Sequence, residues 1–221
     1  MKSSVFWALV RKDLYLMRGF MIATVLTGLL AVVLGCFGKV AFAVGGILFI
    51  TADVASGIFM AMYSLMSERK ELSRLFALSL PISGYHYDLS KLLSGYLVYG
   101  IPWLAMTAMG LGFFLLPGAP HGMIVYALLI QAFVIALYSV VLTALFAISS
   151  EAMSGVLILA INICFSLFMV ELNQPQISAP LRGPTIVWTH FAVTALCGDA
   201  LLLALSFAFA LFLTSRRRDY I

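Results

Sequence analysis

Apolar runs long enough to cross a bilayer recur along this 221-residue chain, and they constrain its fold more than any other feature. An α-helix needs about 17 to 25 residues to traverse the hydrocarbon core. Runs of that order lie at about residues 19–37, 41–66, 90–116, 123–148, 154–170 and 189–213. Only short connections remain, with no room for a separate soluble catalytic domain. The charged fraction of 10% agrees with this, as does the hydrophobic fraction of 63%, since soluble domains carry about 25% charged residues. The expected fold is an all-α integral membrane protein with six transmembrane helices in one transmembrane domain over residues 1–221.

Ahead of the first span, residues 3–17 place Phe6, Leu9, Val10, Asp13, Leu14 and Met17 at helical spacing, with Arg11 and Lys12 nearby. This pattern predicts an N-terminal amphipathic helix lying in the membrane interface. The alternative is a polar extension of the first span. No short apolar core with a small-residue cleavage site occurs at the N-terminus, so the whole chain is expected to be retained.

Six spans put both termini on one side. If that side is cytoplasmic, it collects Lys2, Arg11, Lys12, Arg18, Arg69, Lys70, Arg74, Lys91, Arg216, Arg217 and Arg218, and leaves only Lys39 and Arg182 outside. Basic residues are retained in the cytoplasm, so this orientation in the plasma (inner) membrane is the expected one. The charge placement implies no nucleic-acid partner. The longest outer connection, Glu171 to Trp188, contains three prolines and a glycine. These make it a poor continuous helix, although short helical turns are allowed.

Catalytic motifs are missing. A phosphate-binding loop needs a glycine, four residues, then Gly-Lys-Ser/Thr. Here Gly38-Lys39 is followed by Val40 and preceded by Val33 at the first glycine position. The chain is therefore expected to hold no cofactor and to be no enzyme. Cys36, Cys164 and Cys197 fall in or beside apolar runs without metal-ligand spacing, as expected of small hydrophobic side chains. His86, His121 and His190 lie at span boundaries and far apart.

Two acids fall inside the spans, Asp53 in "FITADVASG" and Asp199 in "ALCGDALLL". A charge at the bilayer centre costs roughly 2.5 to 3.5 kcal/mol on insertion scales, so each is expected to face the bundle interior or water. Asp53 has the hydroxyls of Thr51 and Ser56 within reach, and Asp199 has Thr194 or Asn162. A folding role and a transport role are both open for the pair.

The largest charge cluster lies between the second and third runs, in "SLMSERKELSRLFALSLPISGYHYDLSK". Leu72, Leu75 and Phe76 form an apolar stripe at i, i+3, i+4, while Arg69, Lys70, Glu71 and Arg74 fall largely elsewhere around the helix. A helix over about 67–80 should stop before Pro81, with Ser83 or Asp88 capping the next span. A plain cytoplasmic connector and a docking helix are both compatible with this pattern. The length and the apolar stripe favour docking.

This segment resembles the one that follows the second span in ABC-2 type transporter permeases. Glu68, Arg69, Lys70, Leu75, Leu80, Pro81, Ile82, Ser83 and Lys91 match the pattern, which lapses at Gly84, Tyr85, His86 and Tyr87. The resemblance implies the membrane subunit of an ATP-binding cassette exporter. Two such subunits, identical or related, would pair with cytoplasmic ATP-binding cassette subunits that bind ATP and Mg. It also implies a coupling helix at about 67–80, docking the ATPase through Glu68, Arg69, Lys70, Glu71, Arg74 and Leu75, with Lys12 and Asp13 in support. Faces of the second and fifth spans would line the substrate path, placing Asp53, Ser56, Tyr63 and Asn162 near it, and Asp199 is a further candidate. An amphipathic peptide, lipid-like or drug-like cargo fits an apolar path with a few polar groups. The rival readings are a proton-coupled secondary transporter using Asp53 and Asp199, and a non-transporting membrane docking protein.

Overall fold

The computed structural model describes residues 2–70, 84–117, 119–148 and 150–216. The helices, in chain order, are α1 (Lys2–Gly35), α2 (Lys39–Lys70), α3 (Gly84–Phe114), α4 (Met123–Ala147), α5 (Glu151–Leu172), α6 (Pro175–Leu181) and α7 (His190–Arg216). All but α6 are long and apolar enough to cross a membrane. No strand occurs among the described residues. The chain is an integral, multi-pass membrane protein. Six crossings return it to the end where it began, here the terminal end; the other is the distal end.

Local chemistry sets the turns. Gly38 has φ of 112°, a left-handed conformation that glycine adopts without steric cost, and this lets α2 reverse directly out of α1. The Phe42 amide then donates to the Gly38 carbonyl at 2.8 Å, opening α2. In the proline-rich distal connection Pro175 occupies the first turn of α6, where its missing N–H is not needed. Asp88 is not a cap, because α3 already starts at Gly84 and Asp88 is buried within it. Ser83 lies outside the described residues.

Helix α4 is the centre of the bundle. Its span is 56% buried, whereas no other exceeds 28%. It packs against α2, α3, α5, α6 and α7, while α1 lies across α2 and α3. The seam between α3 and α4 is built from tyrosines. Tyr99 and Tyr138 have ring centroids 4.2 Å apart, and the Tyr138 hydroxyl donates to the Gly95 carbonyl at 2.6 Å.

Helix α1 corrects one expectation. Residues 3–17 do not form a separate helix lying in the interface; they begin the unbroken helix Lys2–Gly35. The helical spacing of the stripe is as read, but its destination is protein. Leu9, Val10, Asp13 and Met17 are buried, Leu9 against Tyr87 of α3. A single Gly19 does not interrupt a helix whose flanking residues favour it.

At 1.5 Å per residue the 34 residues of α1 and 32 of α2 span roughly 50 Å each, against roughly 30 Å of hydrocarbon. Gly38 holds their distal ends together, so the surplus extends at the terminal end. There α1, α2 and the start of α3 make a stalk. An ion pair braces it: Lys91 Nζ donates to both carboxylate oxygens of Asp13, at 2.9 and 2.7 Å, and Ser94 Oγ donates to Asp13 Oδ2 at 2.7 Å. Asp13 and Lys91 are only 5% and 4% exposed. Removing one partner of such a pair strands a buried charge, whereas removing both does not. Asp13→Asn and Lys91→Met are each expected to cost about 3 kcal/mol or more in denaturant titrations of the purified protein, and the double variant less than the sum.

The α1–α2 contact depends on one glycine. A Cβ on Gly45 would sit 2.5 Å from the Ala31 carbonyl oxygen, while one on neighbouring Gly46 would meet nothing within 4 Å. Gly45→Ala must therefore separate two backbones, and a loss of about 1 to 3 kcal/mol is expected in thermal unfolding. Gly46→Ala is expected to be neutral or to stabilise by up to about 1 kcal/mol through helix propensity.

Candidate functional site

Midway through the bundle, Asp53 of α2 is fully buried. Its Oδ1 accepts a 2.8 Å hydrogen bond from the Tyr99 hydroxyl of α3, and Gln131 of α4 also faces it. Gly57, one turn along α2, leaves room for the Tyr99 ring; a Cβ there would meet that ring at 3.1 Å. Gln131 extends the polar track. Its side-chain oxygen accepts from Thr107 Oγ1 at 3.0 Å, and its backbone carbonyl accepts from Trp103 Nε1 at 3.0 Å. Asp53 Oδ2 has no hydrogen-bond partner among the described residues.

The partners differ from those within local reach in the sequence. Ser56 Oγ donates to the Asp53 backbone carbonyl at 2.9 Å, not to the carboxylate. Thr51 lies two residues away, about 200° around the helix, on the outer face. Asp199 likewise finds neither candidate. Thr194 Oγ1 bonds the carbonyls of His190 and Phe191, and Asn162 Nδ2 bonds that of Ile158. Asp199 is 8% exposed, and its Oδ2 also lacks a partner among the described residues.

The residues expected along a substrate path occupy separate places in the chain. Asn162 lines a groove between α2 and α5 with Thr51, Val54, Ile58 and Phe165, of about 470 Å³. Asp53 points away from that groove into the bundle. Tyr63 lies beside α1, its ring 6.0 Å from Phe59 and 6.5 Å from Phe20. Asp199 lines a third surface, a groove between α4, α5 and α7 with Phe133, Phe168, Glu171 and Phe191.

At the terminal end, Glu68, Arg69 and Lys70 finish α2, while Glu71, Arg74 and Leu75 lie outside the described residues. Lys12 is half exposed with its ammonium 3.7 Å from Asp13 Oδ1. Asp13 faces inward, so any part it takes in docking passes through the stalk and not through its own carboxylate.

The sequence reading missed the residues that hold these acids. Tyr99, Gln131, Lys91 and Ser94 each supply a bond that fixes a helix. Of these, Gln131 carried a visible signal, an amide in the apolar run "LLIQAFV". The reading also missed a partly open distal cavity of about 400 Å³ lined by α1 to α5, with Gln131 and Thr107 on its wall and Asn173 and Tyr126 nearer its mouth. Among the described residues no group of three His, Cys, Asp or Glu side chains could hold a metal ion.

Compared with curated proteins and with solved structures, the chain finds no match. A family model described as ABC-2 family transporter protein does match, over residues 8–214. That range takes in the Asp13–Lys91 pair, the Asp53 track, the four inner spans and all but the outermost residues of the first and last. The chain belongs to the ABC-2 family of transporter proteins.

Proposed function

We propose that this chain is the permease subunit of an ATP-driven exporter. Two copies, identical or related, pair with cytoplasmic ATP-binding cassette subunits that bind ATP and Mg. Together they move an amphipathic peptide, lipid-like or drug-like substrate outward across the plasma (inner) membrane. In this reading the terminal end is cytoplasmic, which leaves Lys39 and Arg182 outside, as the asymmetry of basic residues favours.

The observation that carries the reading is the braced stalk. Helices α1, α2 and α3 project together, and the buried Asp13–Lys91 pair ties α1 to α3 within it. Glu68 to Arg74, with Leu75, form the docking segment between α2 and α3, and Lys12 supports it from α1. A push on that segment then moves three helices as a body, which is what coupling to ATP-driven closure needs.

The second copy is placed along α2 and α5. The span of α5 is only 11% buried, and its polar residues Asn162 and Ser166 are exposed and bonded to their own helix backbone. A partner covering this face turns the α2–α5 groove, with Thr51 and Asn162, into an enclosed path. Ser56 and Tyr63 lie on the same helix as Thr51, while Asp53 and Asp199 do not line this groove and join the path only where it continues beyond it.

Charge reversal at the docking segment tests this. Glu68→Lys and Arg74→Glu are each expected to cut copurification of the ATP-binding subunit by about tenfold or more, with the permease's melting temperature unchanged. Undiminished copurification and transport in both variants would sink the exporter reading. The unpartnered oxygens of Asp53 and Asp199 favour one rival, proton coupling. Transport in liposomes by the permease alone, driven by a pH gradient and lost in Asp53→Asn, would replace ATP coupling with that mechanism. The exporter reading expects transport to need ATP and to persist without a pH gradient.

A further inference from the structure

We infer that the distal cavity is a binding site for a single-chain anionic amphiphile, its tail inside and its acidic head at the mouth. The walls are apolar, with Ile47, Phe49, Ile50, Phe113, Ile130 and Met169 prominent. Gln131 accepts from Thr107 and faces Asp53 behind it, and no charged side chain lines the deep end. From Met123 at the mouth to Gln131, both lining the cavity, the eight-residue rise along α4 gives a depth of roughly 12 Å. About 400 Å³ is at the small end of the roughly 300 to 1,000 Å³ of ligand pockets, enough for one chain.

The mouth selects the head. The sequence provides two basic residues at the distal end, Lys39 and Arg182; Arg182 touches residues that line the cavity, and Lys39 begins the helix that supplies much of its wall. Arg182 Nη2 donates to Asn173 Oδ1 at 2.6 Å, and its guanidinium lies 5.8 Å from the Tyr126 ring. Asn173 and Tyr126 line the cavity. Lys39 is the first residue of α2, one turn before the lining residues Phe42 and Ala43. A cation at a helix N-terminus is electrostatically disfavoured, so helix stability does not account for its position. Neither side chain has a carboxylate within ion-pair reach among the described residues. The acids of this region face elsewhere: Glu171 and Asp199 line the α4–α5–α7 groove, and Glu171 accepts from Gln174. An anion is therefore favoured beside Arg182 at the cavity and disfavoured in the groove that holds Glu171 and Asp199.

The test uses the full chain in phosphatidylcholine nanodiscs without any ATP-binding subunit, so its outcome is separate from that of the exporter reading. The probe is a medium-chain fatty carboxylate with a diazirine near its tail, and the alcohol of the same chain is the control. Photolabelling mapped by mass spectrometry is expected on cavity residues such as Phe49 and Ile130, with the carboxylate labelling more than the alcohol. Gly46 lines the cavity and has open space at its Cβ. Gly46→Leu is therefore expected to abolish labelling by both probes, with Gly46→Ala reporting whether the position tolerates a side chain. Arg182→Gln is expected to reduce carboxylate labelling by about tenfold, the strength of a charged hydrogen bond, and to leave the alcohol unchanged. Equal labelling by acid and alcohol in the unaltered chain overturns the assignment. So does labelling spread over outward-facing residues such as Leu104 and Leu205, or full competition by phosphatidylglycerol in the disc, which marks a site for two-chained bilayer lipid.

Discussion

The buried pair between Asp13 and Lys91 fixes the relation of α1 to the rest of the molecule. Most of what α1 presents to its neighbours is apolar, and apolar contacts tolerate sliding and rotation. A carboxylate held by an ammonium and a hydroxyl does not. Shifting α1 by one residue against α3 would rotate Asp13 by about 100° and leave two charges buried without partners. The pair is therefore weak evidence for net stability and strong evidence for register, since its hydrogen bonds are met in one alignment only. With α1 so placed, the contact of Gly45 with the Ala31 carbonyl follows at the other end of the same helix.

Polar groups within the bundle obey the same logic at smaller scale. Lipid supplies no hydrogen bonds, so a polar side chain in a span turns to its own helix or to a neighbouring one. Thr24, Thr27, Ser166 and Thr214 take the local solution, each donating to a carbonyl three or four residues back. Thr143 takes the other, donating to the Ser206 carbonyl of α7 at 3.0 Å, as Tyr138 does to Gly95. Local bonds leave packing free, while interhelical bonds tie α4 to α3 and α7. The centre of the bundle is thus specified by few contacts, and α5, which has scarcely any, stays at the periphery.

How much of this the sequence disclosed depended on the range of each interaction. Six spans were legible because hydropathy is a local property, whereas the short α6 was only allowed, because proline limits a helix without placing one. The stripe on residues 3–17 was legible as a stripe, but periodicity cannot distinguish a lipid surface from a protein one. Asp13 meets a partner 78 residues away and Asp53 one 46 residues away. No local pattern encodes such pairs. Asp53 and Asp199 stood out as acids in apolar runs, whereas Gln131 raised no comparable alarm, because an amide carries no formal charge. The distal cavity was invisible, since five helices contribute to it and an empty space leaves no mark in any one of them.

Two carboxylates remain incompletely satisfied, and their situations differ in a way that bears on mechanism. Asp53 is enclosed, bonded to Tyr99 and faced by Gln131; nothing reaches it without moving α2, α3 or α4. Its unpartnered oxygen is a strain on the packed state, relieved by whatever rearrangement lets in water, a proton or another donor. Asp199 lies at the wall of an open groove, only 8% exposed, and one helix from the surface instead of at the centre of the bundle. A buried polar group that lacks a partner in one conformation lowers the free energy of any other conformation that supplies one. Asp53 sits on α2, the helix that runs on to Glu68, Arg69 and Lys70, so in the proposed exporter a displacement at that end bears on the same helix. The Asp13–Lys91 brace ties α1 to α3, so a displacement of either of these two helices is carried to the other.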